Sequence, residues 1–599
     1  MTDASDLIRY VGGKSANTDY HDGQLRPVVG THNYQVLRAN RSRPELADDL
    51  GWTYNHAPML AHWNGTFYLE YLSNPESEHV PPGHTLLTAS KDGVHWEKPR
   101  VVFPAIQIPE GVYQNPDAPE LPPGSYAVMH QRMGFYEAPN GKLLVLGFYG
   151  ICPAYRVHPN DGNGIGRVVR EVKNDGSWGP IYYLRYNLHA GWNETNTGFP
   201  WYRTSEDPQF IEACEALLSD KLVTMQWWEE DRSRDGFYSI TGGKAASTYR
   251  LPDGRVIAVF KSSKAAVTEN DGMSWSELCD VPSFIMAGAK IWGQKTADGK
   301  YGLVYNPTPT GKYRWPLAVV TSDDGLEFDH MAVIHGDVSP MRFPGHYKDY
   351  GPQYIRGIEA GNDTPTGNEM WLTYSVNKED IWVSRVPVPV ELRVEKPVRD
   401  TFDDMPVGRH VQGWNIYSCQ WAQVSVAPFP SPSNKSLRLH NKDPYDYSKA
   451  VRVFPESRKV RIQWKLLAAQ SDTGPLQIEV CDYKGTIPLR LIVDKDGWIK
   501  VQHGFIHNVV AYEPDTWYEV VLNIDASKQK YEIIIGDVRK TYSFFAPVLS
   551  VERLVFRTGA FRREPNLDSP LEFDALPGAD DPVRKAVYYI QYVETSEHV

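Results

Sequence analysis

Between Trp52 and Trp96 the chain writes out one repeat unit in full. An apolar run, Trp52 to Trp63, meets Asn64-Gly65, and Phe67 to Ser73 follows. A polar loop from Asn74 to His84 leads into Thr85-Leu86-Leu87-Thr88-Ala89-Ser90, and the unit ends in Ser90-Lys91-Asp92-Gly93-Val94-His95-Trp96. Each run is short, rich in aromatic and β-branched residues, and bounded by Gly, Asn or Pro, which is the signature of strands. Asn64-Gly65 is a hairpin turn, because Asn and Gly accept positive φ cheaply. Three or four antiparallel strands in so short a stretch make one blade of a β-propeller. The closing Ser-x-Asp-Gly-x-x-Trp is a shortened Asp box, a turn that joins the outer strands of such blades.

The unit recurs, and repeats decide a fold before single motifs do. A second copy runs from Tyr126 to Phe135, turns at Asn140-Gly141, and continues through Lys142–Gly150, a loop (Ile151–Gly166) and Arg167–Val172. A third has Gly243–Tyr249, a turn at Asp253-Gly254, Val256–Lys261, and an Asp box at Thr268–Trp275 with Asn270 for Asp. A fourth begins at Gly288–Trp292, turns at Asp298-Gly299, continues through Tyr301–Asn306 and closes with the box Thr321–Phe328. A fifth is Gly351–Arg356, Met370–Val376 and Ile381–Val386. Segments 26–50 and 186–236 are long enough for one or two more, although Ile211–Trp228 reads as partly helical. Five to seven blades are expected.

The composition breaks at Val386–Pro397, a stiff Pro-rich linker. Beyond it come regular alternating strands: Ser436–His440, Val460–Leu467, Leu476–Val480, Leu489–Val493, Trp498–Gln502, Trp517–Ile524 and Tyr531–Ile535. They resemble a concanavalin-like β-sandwich. The expected organisation is all-β, with a propeller over 1–395 and an accessory sandwich over 396–599.

A net charge of −12 argues against nucleic acid as the partner, and no apolar stretch is long enough to cross a bilayer. Five scattered Cys suggest neither a disulfide framework nor a thiolate metal site. No secretion signal is visible, so the compartment stays open: secreted or periplasmic if a signal was removed, cytoplasmic otherwise. A monomer is expected.

A propeller binds its ligand at one end of the central channel. The walls come from the starts of the inner strands and from the loops between second and third strands. The inner-strand starts carry Asn55, His56, His130, Arg132, Lys244, Lys290, Tyr354 and Arg356; the spacing of His130 with Arg132 puts both on one face. The loops add His79, His84, Tyr155, Arg156, His158, Arg167, Lys312, Tyr313, Arg314 and Lys378. A mouth dominated by basic and imidazole groups, on an acidic protein, fits an anionic ligand, and a carboxylated sugar suits Arg best. Taken singly, any one of these cations is as well explained by a structural ion pair with a neighbour such as Glu76, Glu78 or Asp161. His56 and His84 are the best-placed proton carriers, whereas His62 and His95 read as structural. The paired carboxylates of most glycosidases are missing from the inner-strand starts.

At Tyr54-Asn55-His56-Ala57-Pro58, at His79-Val80-Pro81-Pro82-Gly83-His84 and at Ser375 to Arg385, the sequence resembles the seven-bladed L-rhamnose-α-1,4-D-glucuronate lyases. These act on the rhamnose-capped ends of arabinogalactan. The resemblance spans residues 26–395. It implies β-elimination at an acidic saccharide, one or two essential His, an Arg that neutralises the uronate and a structural Ca²⁺. His56 and His84 would move the protons, and Arg132 or Arg167 would hold the carboxylate. Asn55, His130, Lys244, Lys290, Tyr354 and Arg356 would bind substrate. No Phe/Tyr-Arg-Ile-Pro segment is present, so the Asp boxes indicate a fold rather than sialidase activity. An exo-acting hydrolase, either an α-L-rhamnosidase or a sialidase-like glycosidase, and a non-enzymatic sugar-binding propeller are the alternatives.

Overall fold

The computed structural model describes residues 7–113, 119–130, 134–154, 156–286, 288, 290–358, 368–560 and 576–597. Among these, five antiparallel units of at least four strands succeed one another as blades, the last of them part of a larger sheet. Blade one is Tyr54–Trp63, Thr66–Asn74, His84–Ser90 and Arg100–Phe103. Blade two has an inner edge in two pieces, Val128–Met129 and Gly134–Glu137, then Leu143–Gly150, Gly164–Val172 and Tyr182–Tyr186. Blade three is Ser247–Arg250, Val256–Phe260, Lys264–Thr268 and Cys279–Asp280. Blade four is Trp292–Lys295, Tyr301–Tyr305, Leu317–Ser322 and Glu327–His335, with Arg9–Tyr10 added in parallel at its outer edge.

Blade five takes Pro352–Gly357, Glu369–Val376 and Asp380–Pro387 from late in the propeller. Its outer strand, His32–Leu37, comes from the beginning. This strand closes the ring and answers the expectation that segment 26–50 could hold a blade: it holds one strand of an existing blade. Segment 186–236 holds no blade either. After the end of blade two at Tyr186 it forms the helix Pro208–Ser219 and five short helical turns. Asp207 caps that helix by accepting the N–H groups of Gln209 and Phe210, with Pro208 at the first position. Phe210, Ala213, Cys214 and Leu217 give it one buried face, which packs with Leu144 and Leu146 of blade two. Met225 packs on Ala258 and Phe260 of blade three. The helical insertion is thus a wedge between neighbouring blades, and among the described residues five blades are traced.

The Asp boxes form between third and fourth strands as read. In blade one, Asp92 Oδ1 accepts the N–H groups of Val94 and His95 at 2.9 and 2.8 Å, and Ser90 Oγ accepts that of Gly93. In blade four the box is shifted by one residue, with Ser322 and Asp324 as the acceptors.

The sandwich packs two sheets around a core that includes Trp414, Trp464, Leu522 and Phe556. One sheet contains Ala422–Ser431, Asn434–Asn441, Ala586–Glu597, Lys459–Ala468, Thr516–Asp525, Lys530–Ile535 and Val538–Ser543. The other is continuous with blade five, because His32–Leu37 also pairs in parallel with Asn415–Ser418. The apolar cluster is continuous too: Leu60, Phe67 and Trp371 of the propeller belong to the same core as Trp414 and Trp464.

Candidate active site

The inner strands of blades one and five each carry one extra residue near the start. Pairing shifts between His56 and Met59 in one and between Gln353 and Arg356 in the other. Such bulges break the two-residue alternation and re-aim side chains. Ala57 and Tyr354 sit at the bulges with φ of 51° and 62°, and Ser262, Asn377 and Lys378 in the adjoining loops are also left-handed. Each such residue costs about 1–3 kcal/mol, a concentration of strain typical of functional sites.

The bulges bring Tyr354 and His56 together, with ring centroids 4.2 Å apart. Four cations converge on the Tyr354 ring. Lys261, from the second-to-third-strand turn of blade three, lies 4.5 Å from the centroid and donates to the phenol oxygen. Lys290 lies at 5.1 Å, Arg314 of blade four at 5.5 Å and Lys378 of blade five at 5.9 Å. Two carboxylates stand behind them. Asp349 Oδ2 is 2.9 Å from Arg314 and 3.1 Å from Lys378, and Glu78 Oε2 accepts from Lys378 at 2.8 Å.

The electrostatic outcome is unequal for the two rings. Burial pushes the Tyr354 phenol up, but Lys261, Arg314 and Lys378 overcome it and bring its pKa down to about 8. Burial and then Lys378 hold His56 well below its ordinary value, so its imidazole is neutral. His56 Nδ1 shares a hydrogen bond of 2.7 Å with Ser375 Oγ, while Nε2 is buried and has no hydrogen-bond partner among the described residues. Against the burial that raises it, Lys378 keeps the Glu78 carboxyl depressed and charged. The arrangement can hold a carboxylate ligand by charge and can present a phenolate at moderately alkaline pH.

Of the residues expected at the mouth, His56, Lys290 and Tyr354 meet here, with Arg314 and Lys378 from the loops. Others do not. His84 stacks on Trp52 with centroids 4.5 Å apart, and its Nδ1 accepts the Ala105 N–H, both contacts lying away from the cluster. Asn55 ties blade one to blade five by donating to the Glu379 carbonyl. Arg356 donates to the carbonyl of Ala246 and to Gln226, because the bulge removes the alternation that would have set it beside Tyr354. Arg132 lies outside the described residues.

Arg167 and His130 form a second cluster. Arg167 bonds Glu230 at 2.8 Å and His130 lies 3.4 Å from the same carboxyl, so the helical wedge supplies their counter-charge. His130 stacks on His79, which also packs on His158. His79 in turn lies 3.7 Å from Glu78, which links this cluster to Lys378. Lys244 is largely exposed and approaches Glu229 at 3.6 Å.

Lys261 escaped the sequence reading, which took it as the end of a strand; the signal was Lys261-Ser262-Ser263, a tight turn at the level of the other loops. Among the described residues no three His, Cys, Asp or Glu side chains converge to hold a metal ion.

A family model described as BT_1020-like, N-terminal beta propeller, matches residues 6–244, and one described as sialidase-like, CBM domain, matches residues 414–573. No curated protein matches the chain. Among solved structures, one named "Sialidase" is 42% identical with a TM-score of 0.94 and covers 99% of this chain. A Trypanosoma rangeli sialidase is 11% identical over 91% of this chain and 92% of its own, with a TM-score of 0.33. A xylan β-1,4-xylosidase from Bacillus halodurans C-125 is 10% identical over 98% and 100%, with a TM-score of 0.34. The chain is therefore similar from end to end to a protein named a sialidase, of whose length it spans about half, 54%.

Proposed function

We propose that the chain is an exo-acting glycoside hydrolase for a sugar that bears a carboxylate, with Tyr354 as its nucleophile. The observation that carries this reading is the phenol of Tyr354 among Lys261, Lys290, Arg314 and Lys378, its pKa brought down to about 8. A carboxylate at the anomeric carbon makes a charged nucleophile repel its substrate. A phenolate neutralised by flanking cations avoids that penalty, and tyrosine nucleophiles are the known departure from the two-carboxylate rule. The cations bind the sugar's carboxylate, and Tyr354 Oη attacks the anomeric carbon as the glycosidic C–O bond breaks. The aglycone leaves with a proton taken from water, and a second water then displaces Tyr354 to release the sugar with retained configuration. Similarity to the protein named a sialidase supports the same class.

The lyase reading, in which rhamnose is eliminated from a glucuronate end, is favoured by a different observation: the neutral His56 ring beside Tyr354, with its Nε2 unbonded. There, His56 would remove the C5 proton while the cations stabilise the charge that develops on the carboxylate. One experiment separates the two. The protein is incubated with a sialyl glycoside and, separately, with gum arabic, and the products are analysed by mass spectrometry. Hydrolysis adds one water across the cleaved bond, whereas elimination leaves an end lighter by one water with a conjugated double bond. His56→Phe, which keeps the ring packing, should spare the hydrolase and abolish the lyase. No released sugar from either substrate would refute both readings and leave a binding propeller.

A further inference from the structure

A cavity of about 500 Å³ lies at the seam between propeller and sandwich, away from the channel. Its floor is the outer face of the sandwich sheet that continues from blade five. Along those strands Lys449, Glu479, Arg490, Arg553 and Arg557 alternate with Ala450, Val480, Leu491, Leu554 and Phe556, which face the sandwich core. Its roof is the arm Tyr20–Pro27 with Ile334–Asp337 from the end of blade four.

The floor is a connected polar network held in place. Arg490 donates to Glu479 at 2.6 Å and also to Gln502. Across the seam, Lys449 and the hydroxyl of Tyr447 donate to Asp337 at 2.8 and 2.7 Å. Within it, Val451, Cys481 and Val555 make a small apolar patch. The surroundings of the cavity are aromatic, with Tyr20, Tyr483 and Phe545 each more than a third exposed. Arg26 and Lys484 lie 5.0 and 5.6 Å from the Tyr483 ring.

We propose that this seam is a second carbohydrate site, which holds an internal stretch of an oligosaccharide rather than its reacting end. Planar Arg, Glu and Gln groups in fixed orientation match pairs of ring hydroxyls, and exposed aromatic rings pack on the apolar faces of sugars. The volume suits a small ligand, within the 300–1,000 Å³ usual for such sites, about which the same mix of apolar walls and few fixed polar groups is typical. Both structural units build the site, so it exists only in the assembled chain. It does not depend on the reaction proposed for the channel.

The test uses full-length Tyr354→Phe protein in native gels cast with gum arabic, polygalacturonate or rhamnogalacturonan. Retardation is expected in at least one of these gels. Thr486→Trp, which fills the cavity, and Tyr20→Ala, which removes a ring at its edge, should each weaken the retardation about tenfold or more. In the otherwise unchanged protein, both variants should leave turnover of a small chromogenic glycoside as it was. Retardation in none of the gels, or equal retardation of the two variants and their parent, would overturn the proposal. Failure of the channel reading shows separately, as absent turnover with retardation intact.

Discussion

Tyr354 is where pH should act most directly. Its pKa of about 8 lies below that of a free phenol, so the phenolate forms as pH rises through about 8, and a rate that needs the phenolate rises over the same range. Lys261 is the largest of the cationic influences and the one that bonds the hydroxyl. Lys261→Met should move the ascending limb of kcat/KM to higher pH, because burial alone raises the phenol. Tyr354→Phe should lower kcat/KM by about a hundredfold or more at every pH. Initial rates across pH 6 to about 10, beside phenolate absorbance in the same titration, check both expectations. Unchanged pH profiles would remove Tyr354 from the chemistry. Side-chain types at this site were readable from sequence, since Tyr354, Lys290 and His56 stand at inner-strand starts. Their exclusion of Arg356 was not, because a one-residue bulge has no residue signature in Gly351-Pro352-Gln353-Tyr354-Ile355-Arg356 and it changes which side chains face inward.

The turns of the blades were the most legible elements. Asn64-Gly65 adopts positive φ at both residues, and Gly93 and Gly325 sit left-handed inside their Asp boxes as the motif requires. These turns differ in how much a methyl group should cost. At Gly65 a Cβ meets nothing within 4 Å, whereas at Gly93 it would stand 2.5 Å from the Trp371 ring of blade five. Gly65→Ala should therefore destabilise by about 1 kcal/mol, the price of the backbone alone. Gly93→Ala should cost more, about 2–3 kcal/mol, as blades one and five are forced apart. Thermal unfolding of the two variants side by side tests the difference, and equal shifts would contradict it. The helical wedge was legible at Ile211–Trp228, but its role was hidden: aromatic-rich segment 186–236 has the length of a blade, and only its packing on Phe260 and Leu144 shows that it separates two others. The stack of His84 on Trp52 was not legible either, because a loop-end His carries no sign of its neighbour in space.

At the scale of the molecule, propeller and sandwich share both a sheet and a core, so they should unfold together. Arg38, on the chain just beyond the ring-closing strand, bonds Asp443 at 2.7 Å and the Ala579 carbonyl, and it lies 3.8 Å over the Trp421 ring. Both partners of the ion pair are buried. Asp443→Ala would leave the guanidinium without its carboxylate and should cost about 3–5 kcal/mol. Calorimetry should show one transition, shifted to lower temperature as a whole; two separated transitions would mean that the units are independent.

The strand His32–Leu37 also dictates an order of events during synthesis. It leaves the ribosome before almost every other strand, yet its hydrogen-bonding edges are filled by Asp380–Pro387 and Asn415–Ser418, made far later. At about 5–20 residues per second the gap to its first partner lasts on the order of 20–70 s. Throughout that interval a strand with two bare hydrogen-bonding edges travels on the nascent chain, so folding in the cell depends on what shields it until the circle can be completed.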